Sequence, residues 1–248
     1  MVNNKSFSFW PTICLICDQS CGALQLCPTC ADQLQPPEHS CPLCALPRDL
    51  DSPAPCSRCQ RHPPRYRQCI AATEYGPASA RLVNRLKHQR QLPPAGAMAE
   101  ALVQRVNSRY THAAKEIDLL VPVPLSRKRL QWRGFNQAVE IARPLARKLA
   151  LPLAVDACDR QHTETSQQTL DVSARQANLG NTFFVRKPAL VAGRRIAIVD
   201  DVMTTGATAN ALCTILLEAG ATHCDLWCFA RTPRQQRTAA SRRTRIET

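Results

Sequence analysis

The stretch RRIAIVDDVMTTGAT at residues 194–208 constrains the fold more than any other part of this chain. Ile196 to Val199 read as a buried strand, and two adjacent aspartates, Asp200 and Asp201, stand at its C-terminal end. A small-residue turn follows, and then a helix, TANALCTILLEAG, that starts near Thr208 and stops at Gly220. In an open α/β sheet, ligands bind at such strand ends. Side-by-side carboxylates repel one another and cost desolvation, so the fold must compensate them. The amides of residues 204–208, at the start of a helix, make an anion site to which threonine hydroxyls add donors. The carboxylates suit vicinal hydroxyls, or a magnesium ion that brings its own oxygen ligands. A sugar ring carrying a phosphate satisfies both halves.

The flanking sequence agrees with this fold class. IAATEY, DLLVPVP and DLWCFAR read as strands, and SARLVNRLKH, AMAEALVQRV and NQAVEIARPLARKLA as helices, the last expected to bend or break near Pro144. Strands alternating with helices predict an α/β domain with a mostly parallel sheet and helices on both faces. The segment after DLLVPVP carries Arg127, Lys128, Arg129 and Arg133 and is expected to be a basic loop.

Residues 11–64 have a different texture. Nine of the 14 cysteines lie between Cys14 and Cys59, and eight of them form CxxC pairs: Cys14/Cys17, Cys27/Cys30, Cys41/Cys44 and Cys56/Cys59. A two-residue spacer lets both sulfurs reach one tetrahedral ion at about 2.3 Å, and two such knuckles close a structural four-thiolate zinc site. Pairing of adjacent knuckles gives two zinc ions, although four knuckles can combine in three ways. Cys21 is expected to stay outside the sites, and Cys69, Cys158, Cys213, Cys224 and Cys228 read as inert thiols. Three regions result: a double zinc ribbon over 11–64, an α/β domain over 65–232, and a basic tail over 233–248.

The formal charge of +13 favours phosphorylated ligands or nucleic acid. Two four-thiolate zinc sites would lower it to about +9. The apolar run FSFWPTICLIC is too short to span a bilayer and has no small-residue cleavage site, so no membrane insertion is expected and the expected compartment is the reducing cytoplasm.

Residues 196–208 resemble the phosphoribosyl pyrophosphate site of type I phosphoribosyltransferases. By that resemblance Asp200 and Asp201 hold the ribose hydroxyls, while Thr204, Thr205, Gly206, Ala207 and Thr208 cradle the 5-phosphate. Arg127, Arg129 and Arg133 face the pyrophosphate, which guanidinium groups suit through bidentate hydrogen bonds. The four CxxC pairs, LKH at residues 86–88, VPVP followed by RGFNQ, the segment from Gln167 to Asn178 and VDDVMTTGAT occur in an order similar to that of the ComF/GntX family, which joins a double zinc ribbon to a phosphoribosyltransferase-like domain. This resemblance puts Arg133, with Asn136 and Gln137, on the pyrophosphate side, adds Lys87, and places Gln167, Arg175 and Asn178 in a hood over the substrate. It implies phosphoribosyl pyrophosphate or a nucleotide as ligand, magnesium beside it, and a homodimer. It also implies a role in DNA uptake or competence alongside DNA-processing partners. Two functions stay open: a phosphoribosyltransferase with an unidentified acceptor, in which Asp200, Asp201 and Arg133 would serve catalysis, and a non-catalytic single-stranded-DNA-binding or regulatory protein.

Overall fold

The computed structural model describes residues 12–21, 25–50, 52–88, 92–110, 112–161 and 183–233. In chain order, α1 (Pro28–Asp32) and α2 (Ser57–Arg61) each begin inside a CxxC pair, and β1 (Cys69–Glu74), α3 (Pro77–His88), α4 (Pro93–Arg109), α5 (Ala113–Glu116) and β2 (Leu119–Pro122) follow. Next come α6 (Arg127–Arg133), α7 (Gln137–Leu149), β3 (Cys158–Arg160), β4 (Phe183–Val185), α8 (Pro188–Val191), β5 (Arg195–Met203), α9 (Ala207–Glu218) and β6 (His223–Arg231).

Strands β1, β6, β5 and β2 form an all-parallel sheet in that order. A bridge from Leu120 to Leu153 extends it beyond β2. The central strands are apolar on both sides, as a sheet covered by helices requires. Alternation along each strand sorts the core into two layers. Ala197, Val199, Trp227 and Phe229 pack with α3, α4 and α7, whereas Ile196, Ile198, Leu226 and Cys228 pack with α9.

The cysteine-rich region straddles the sheet. Cys14 and Cys30 belong to the first layer, and Cys41, Cys44 and Cys59 to the second. Between them the chain passes the outer edge of β1, where Cys69 N donates to Leu43 O at 2.8 Å and Thr73 Oγ1 to Gln35 O at 3.3 Å. An edge strand offers unpaired backbone groups, and this passage covers some of them.

Two local expectations change. The basic segment is the helix α6, capped at its start by Ser126, whose side chain accepts from Arg129 N, and at its end by Gly134 in the left-handed region (φ 81°). Both are ordinary cap residues, but the run of cations between them obscured the pattern. The α7 helix continues through Pro144 rather than breaking there. The proline removes one N–H, but a buried face of Val139, Ile141, Ala142, Leu145 and Ala146 holds the helix on the sheet.

At the N-terminal end of β6, the buried Asp225 is gripped by Arg67 through two bonds of 3.0 and 2.9 Å, by Gln68, and by the Tyr110 hydroxyl. No helix among the described residues is long and apolar enough to cross a membrane.

Candidate functional site

The C-terminal ends of β5 and β2 carry the polar groups. Asp201 N donates to Asp200 Oδ1 at 2.9 Å, and Val202 N donates to Asp201 Oδ1 at 2.7 Å, so each carboxylate is oriented by the next amide. Asp201 is buried, and its compensation comes from Lys87, near the end of α3, whose Nζ lies 2.6 Å from Asp201 Oδ2. Asp200 is half-buried, and its Oδ2 has no hydrogen bond among the described residues. Burial first, then the neighbouring Asp201 charge, pushes the Asp200 carboxyl up to about 8, with Lys87 and the Asp201 amide pulling the other way.

Arg160 on β3 lies within electrostatic range of both Asp200 and Arg129. Burial and the like charge of Arg129 hold its guanidinium below the ordinary range, and its Cζ sits 5.2 Å from the centroid of the Phe183 ring. No motif marks this arginine in the sequence; only the approach of β3 to the end of β5 reveals it.

The loop after β5 turns at Gly206, which has φ 77° and forms the N-cap of α9. The positive φ demands glycine, and an added Cβ would in addition push aside Met203 Cε, 2.8 Å away, and crowd the Tyr66 hydroxyl at 3.3 Å. The first intrahelical bond is Asn210 N to Gly206 O at 2.9 Å, which leaves the amides of Ala207, Thr208 and Ala209 without helical acceptors. Thr205 Oγ1 accepts from Ala207 N at 3.3 Å. Thr204 and Thr205 are exposed and Thr208 half-buried, so the loop presents donors to solvent at a positive helix terminus.

The RGFNQ residues divide their work. Asn136 caps α7 by accepting from Ala138 N at 3.0 Å, and its amide group donates to Val123 O at 2.9 Å, tying α7 to the end of β2. Gln137 is buried, and its Oε1 accepts from Arg133 Nη1 at 2.8 Å. Arg133 Nε and Gln137 Nε2 are buried donors with no acceptor among the described residues. Arg127, Lys128 and Arg129 are exposed and make no ion pair among the described residues. The structure thus brings Lys87, Asp200 and Asp201 together, with Arg160 within electrostatic range of Asp200 and of Arg129. Gln167, Arg175 and Asn178 lie outside the described residues.

The eight paired cysteines form two clusters, Cys14/Cys17/Cys27/Cys30 and Cys41/Cys44/Cys56/Cys59, each with four sulfurs within 4.8 Å of one another. Adjacent knuckles therefore pair. Tetrahedral bonds of about 2.3 Å place sulfurs about 3.8 Å apart. The Cys17–Cys27 and Cys44–Cys56 separations are 3.8 and 3.7 Å, so both sites fit a tetrahedral ion. Cys27 N donates to Cys14 Sγ, and Cys56 N to Cys41 Sγ. Burial raises the Cys14 and Cys41 thiols, but the surrounding amides more than offset it and bring both down to about 6. Cys21 stands outside both clusters, its Sγ near the Thr12 carbonyl. Cys69, Cys158, Cys213, Cys224 and Cys228 are all buried.

Two cavities of about 610 and 460 Å³ separate the second cluster and α2 from Thr205 and the start of α9. A third, of about 810 Å³, lies between α1, α4 and α7, away from the aspartates.

A family model described as the phosphoribosyl transferase domain matches residues 136–243. The DNA utilization protein YhgH of Escherichia coli strain K12 is 33% identical over 225 residues, covering 90% of this chain and 98% of that protein. Competence protein F of Haemophilus influenzae is 32% identical over 179 residues, 71% of this chain and 78% of its own length. Competence protein ComFC of Bacillus subtilis strain 168 is 27% identical over 240 residues, covering 89% of this chain and 95% of that protein.

Proposed function

Because this chain belongs to the ComF family, with its phosphoribosyltransferase-like domain, we propose that it binds phosphoribosyl pyrophosphate, or a related nucleotide, in the service of DNA uptake or utilisation. One observation carries the reading: two carboxylates at a strand end stand just before a glycine-turned loop whose first helix amides lack helical acceptors. The amides and hydroxyls of Thr204, Thr205, Gly206, Ala207 and Thr208 would hold the 5-phosphate. The carboxylates of Asp200 and Asp201 would accept from the ribose hydroxyls, with the Lys87 ammonium paired to Asp201. Arg129, Arg133 and Arg160 would face the pyrophosphate, and the acceptorless Arg133 Nε supports an anion there.

Magnesium fits this donor set. Two protein carboxylates make no complete cage, and the ion would keep water and take phosphate oxygens of the ligand, neutralising charge on the leaving group when bound. The chain's own contribution to ribosyl transfer is positioning and electrostatics: the loop fixes the phosphate, the aspartates fix the ring, and the guanidinium groups stabilise negative charge on the departing pyrophosphate. Each cysteine cluster would carry one structural zinc, which suits the reducing cytoplasm.

A second reading is favoured by α6. Its exposed Arg127, Lys128, Arg129 and Trp132 would suit a single strand of DNA, the cations meeting phosphates and the indole a base. Titration of the zinc-loaded protein with phosphoribosyl pyrophosphate and magnesium, beside Asp200→Ala and Asp201→Ala, tests the first reading. Binding by the wild type that both substitutions abolish is expected, and no binding by the wild type overturns it. Salt-dependent DNA binding that survives both substitutions would support the second reading as a separate surface.

A further inference from the structure

The second cysteine cluster reaches the loop at residues 204–208 chiefly through one buried side chain. Arg231, the last residue of β6, is 3% exposed. Its Nε donates to Cys44 O at 2.9 Å. Its Nη1 donates to Met203 O at 3.2 Å, Thr204 O at 2.7 Å and Thr232 O at 2.7 Å. No carboxylate pairs with it among the described residues, so its charge is balanced by four carbonyl dipoles. A four-thiolate site with a divalent ion carries two net negative charges and would add to that balance.

The acceptors identify what the guanidinium joins. Cys44 is a knuckle residue of the second cluster, while Met203 and Thr204 lead into the loop at residues 204–208. Thr232 closes the arrangement by donating from both N and Oγ1 to Met203 O. Two more ties run alongside: Cys69 N to Leu43 O in the same knuckle, and Cys69 Sγ to Met203 Sδ at 3.5 Å. No described bond joins the first cluster to this loop; its bonds to the helices run to α3, through Arg81 to Ile16 O and through Arg85 to Asp18.

We propose that Arg231 is a positioning residue coupling metal loading of the second cluster, and not of the first, to the geometry of the loop at residues 204–208. The ion fixes the Cys41–Cys44 turn and with it the Cys44 carbonyl. When that turn loosens, the buried guanidinium loses an acceptor and must re-partner, and the Thr204 carbonyl that it holds moves with it. The proposal rests on reading this loop as a phosphate cradle.

The test uses the full-length zinc-loaded protein and four variants: Arg231→Met, Arg231→Lys, Cys56→Ser and Cys17→Ser. Amide exchange over residues 203–210 and over 225–232 is measured without ligand, together with zinc content and affinity for phosphoribosyl pyrophosphate with magnesium. Arg231→Met should keep both zincs, speed exchange over 203–210 by about tenfold and weaken the ligand by a similar factor. Arg231→Lys keeps the charge without the fork and should fall between. Cys56→Ser should reproduce the loop effect, while Cys17→Ser should leave the loop within about twofold of wild type. Unchanged exchange in both Arg231 variants overturns the proposal, and so does an equal response to Cys17→Ser and Cys56→Ser. Should Arg231→Met fail to fold, Arg231→Lys and the two cysteine variants decide alone. If the exchange pattern appears but the wild type binds no phosphoribosyl pyrophosphate, the coupling stands and the ligand reading falls.

Discussion

The two cysteine clusters have the same ligands, the same two-residue spacer within each knuckle and the same amide-stabilised thiol, yet they meet opposite faces of one sheet. The first leans on α3, whose C-terminal turn also holds Lys87 against Asp201. The second packs on the β1–β6 surface, and its Cys44 carbonyl is bonded to the arginine that holds Thr204. Equal local chemistry therefore produces unequal reach. The first cluster reaches the aspartates through a helix, and the second reaches the loop at residues 204–208 chiefly through the Arg231 side chain.

Metal removal breaks this comparison most severely. Structural zinc contributes on the order of 10 kcal/mol to small ribbon modules, so loss of either ion should melt its own knuckles. The consequences should differ by face. Cys69 lies under the second cluster, bonded through its amide to Leu43. Mass spectrometry after alkylation should find Cys69 labelled in Cys56→Ser and protected in Cys17→Ser. Labelling in both variants would mean that the clusters act as one unit.

Lys87→Ala sharpens the comparison from the other side. Removing the ammonium leaves the buried Asp201 carboxylate without its ion pair, at a cost of about 3 kcal/mol. Denaturant unfolding should register that loss, and Lys87→Met combined with Asp201→Asn should recover most of it. Additive losses in the double variant would dissolve the pair.

Asp200→Asn should act in the opposite direction. The folded-state pKa of Asp200, about 8, lies above the ordinary 3.8, so the native state binds this proton more tightly than the unfolded chain does. Ionisation then costs stability; the penalty is complete above about pH 8 and gone below about pH 4. Without ligand, the asparagine variant should gain stability at pH 8, about 1–2 kcal/mol once the partial exposure of Asp200 is allowed to screen the several kcal/mol that the full shift implies, and nothing at pH 4, while losing affinity for phosphoribosyl pyrophosphate. A pH-independent gain would assign the effect to packing instead of charge.

What the sequence made legible follows from how local each signal is. Asp200, Asp201 and the Thr204–Gly206 turn are neighbours in the chain, so strand, carboxylates and cradle could be read together, and a CxxC pair carries its own geometry. Arg160 and Arg231 were not legible in this way. The bond from Arg231 to Cys44 spans 187 positions and exists only because the cysteine-rich region wraps the β1 edge. The α6 helix was hidden for a different reason, since its caps, Ser126 and Gly134, were visible but enclosed a segment with no buried face. Lys87 was reached only through resemblance, and its ion pair with Asp201 gives it a physical role that no spacing could supply.

The smallest expected effect discriminates most finely between the clusters. Arg85 joins α3 to Asp18 of the first knuckle at 2.5 Å, with the aspartate side chain 54% exposed. An ion pair open to water on one side is screened and contributes about 0.5 kcal/mol, far less than a buried guanidinium bonded to four carbonyls. Arg85→Ala should therefore lower stability by about that amount, lose even this difference in high salt, and leave exchange over residues 203–210 unchanged. A rise in loop exchange comparable to that of Arg231→Met would show that α3 carries strain from the first cluster through Lys87 to the aspartates. The two faces would then be coupled to the whole site alike, and the asymmetry drawn from Arg231 would fail at its weakest point.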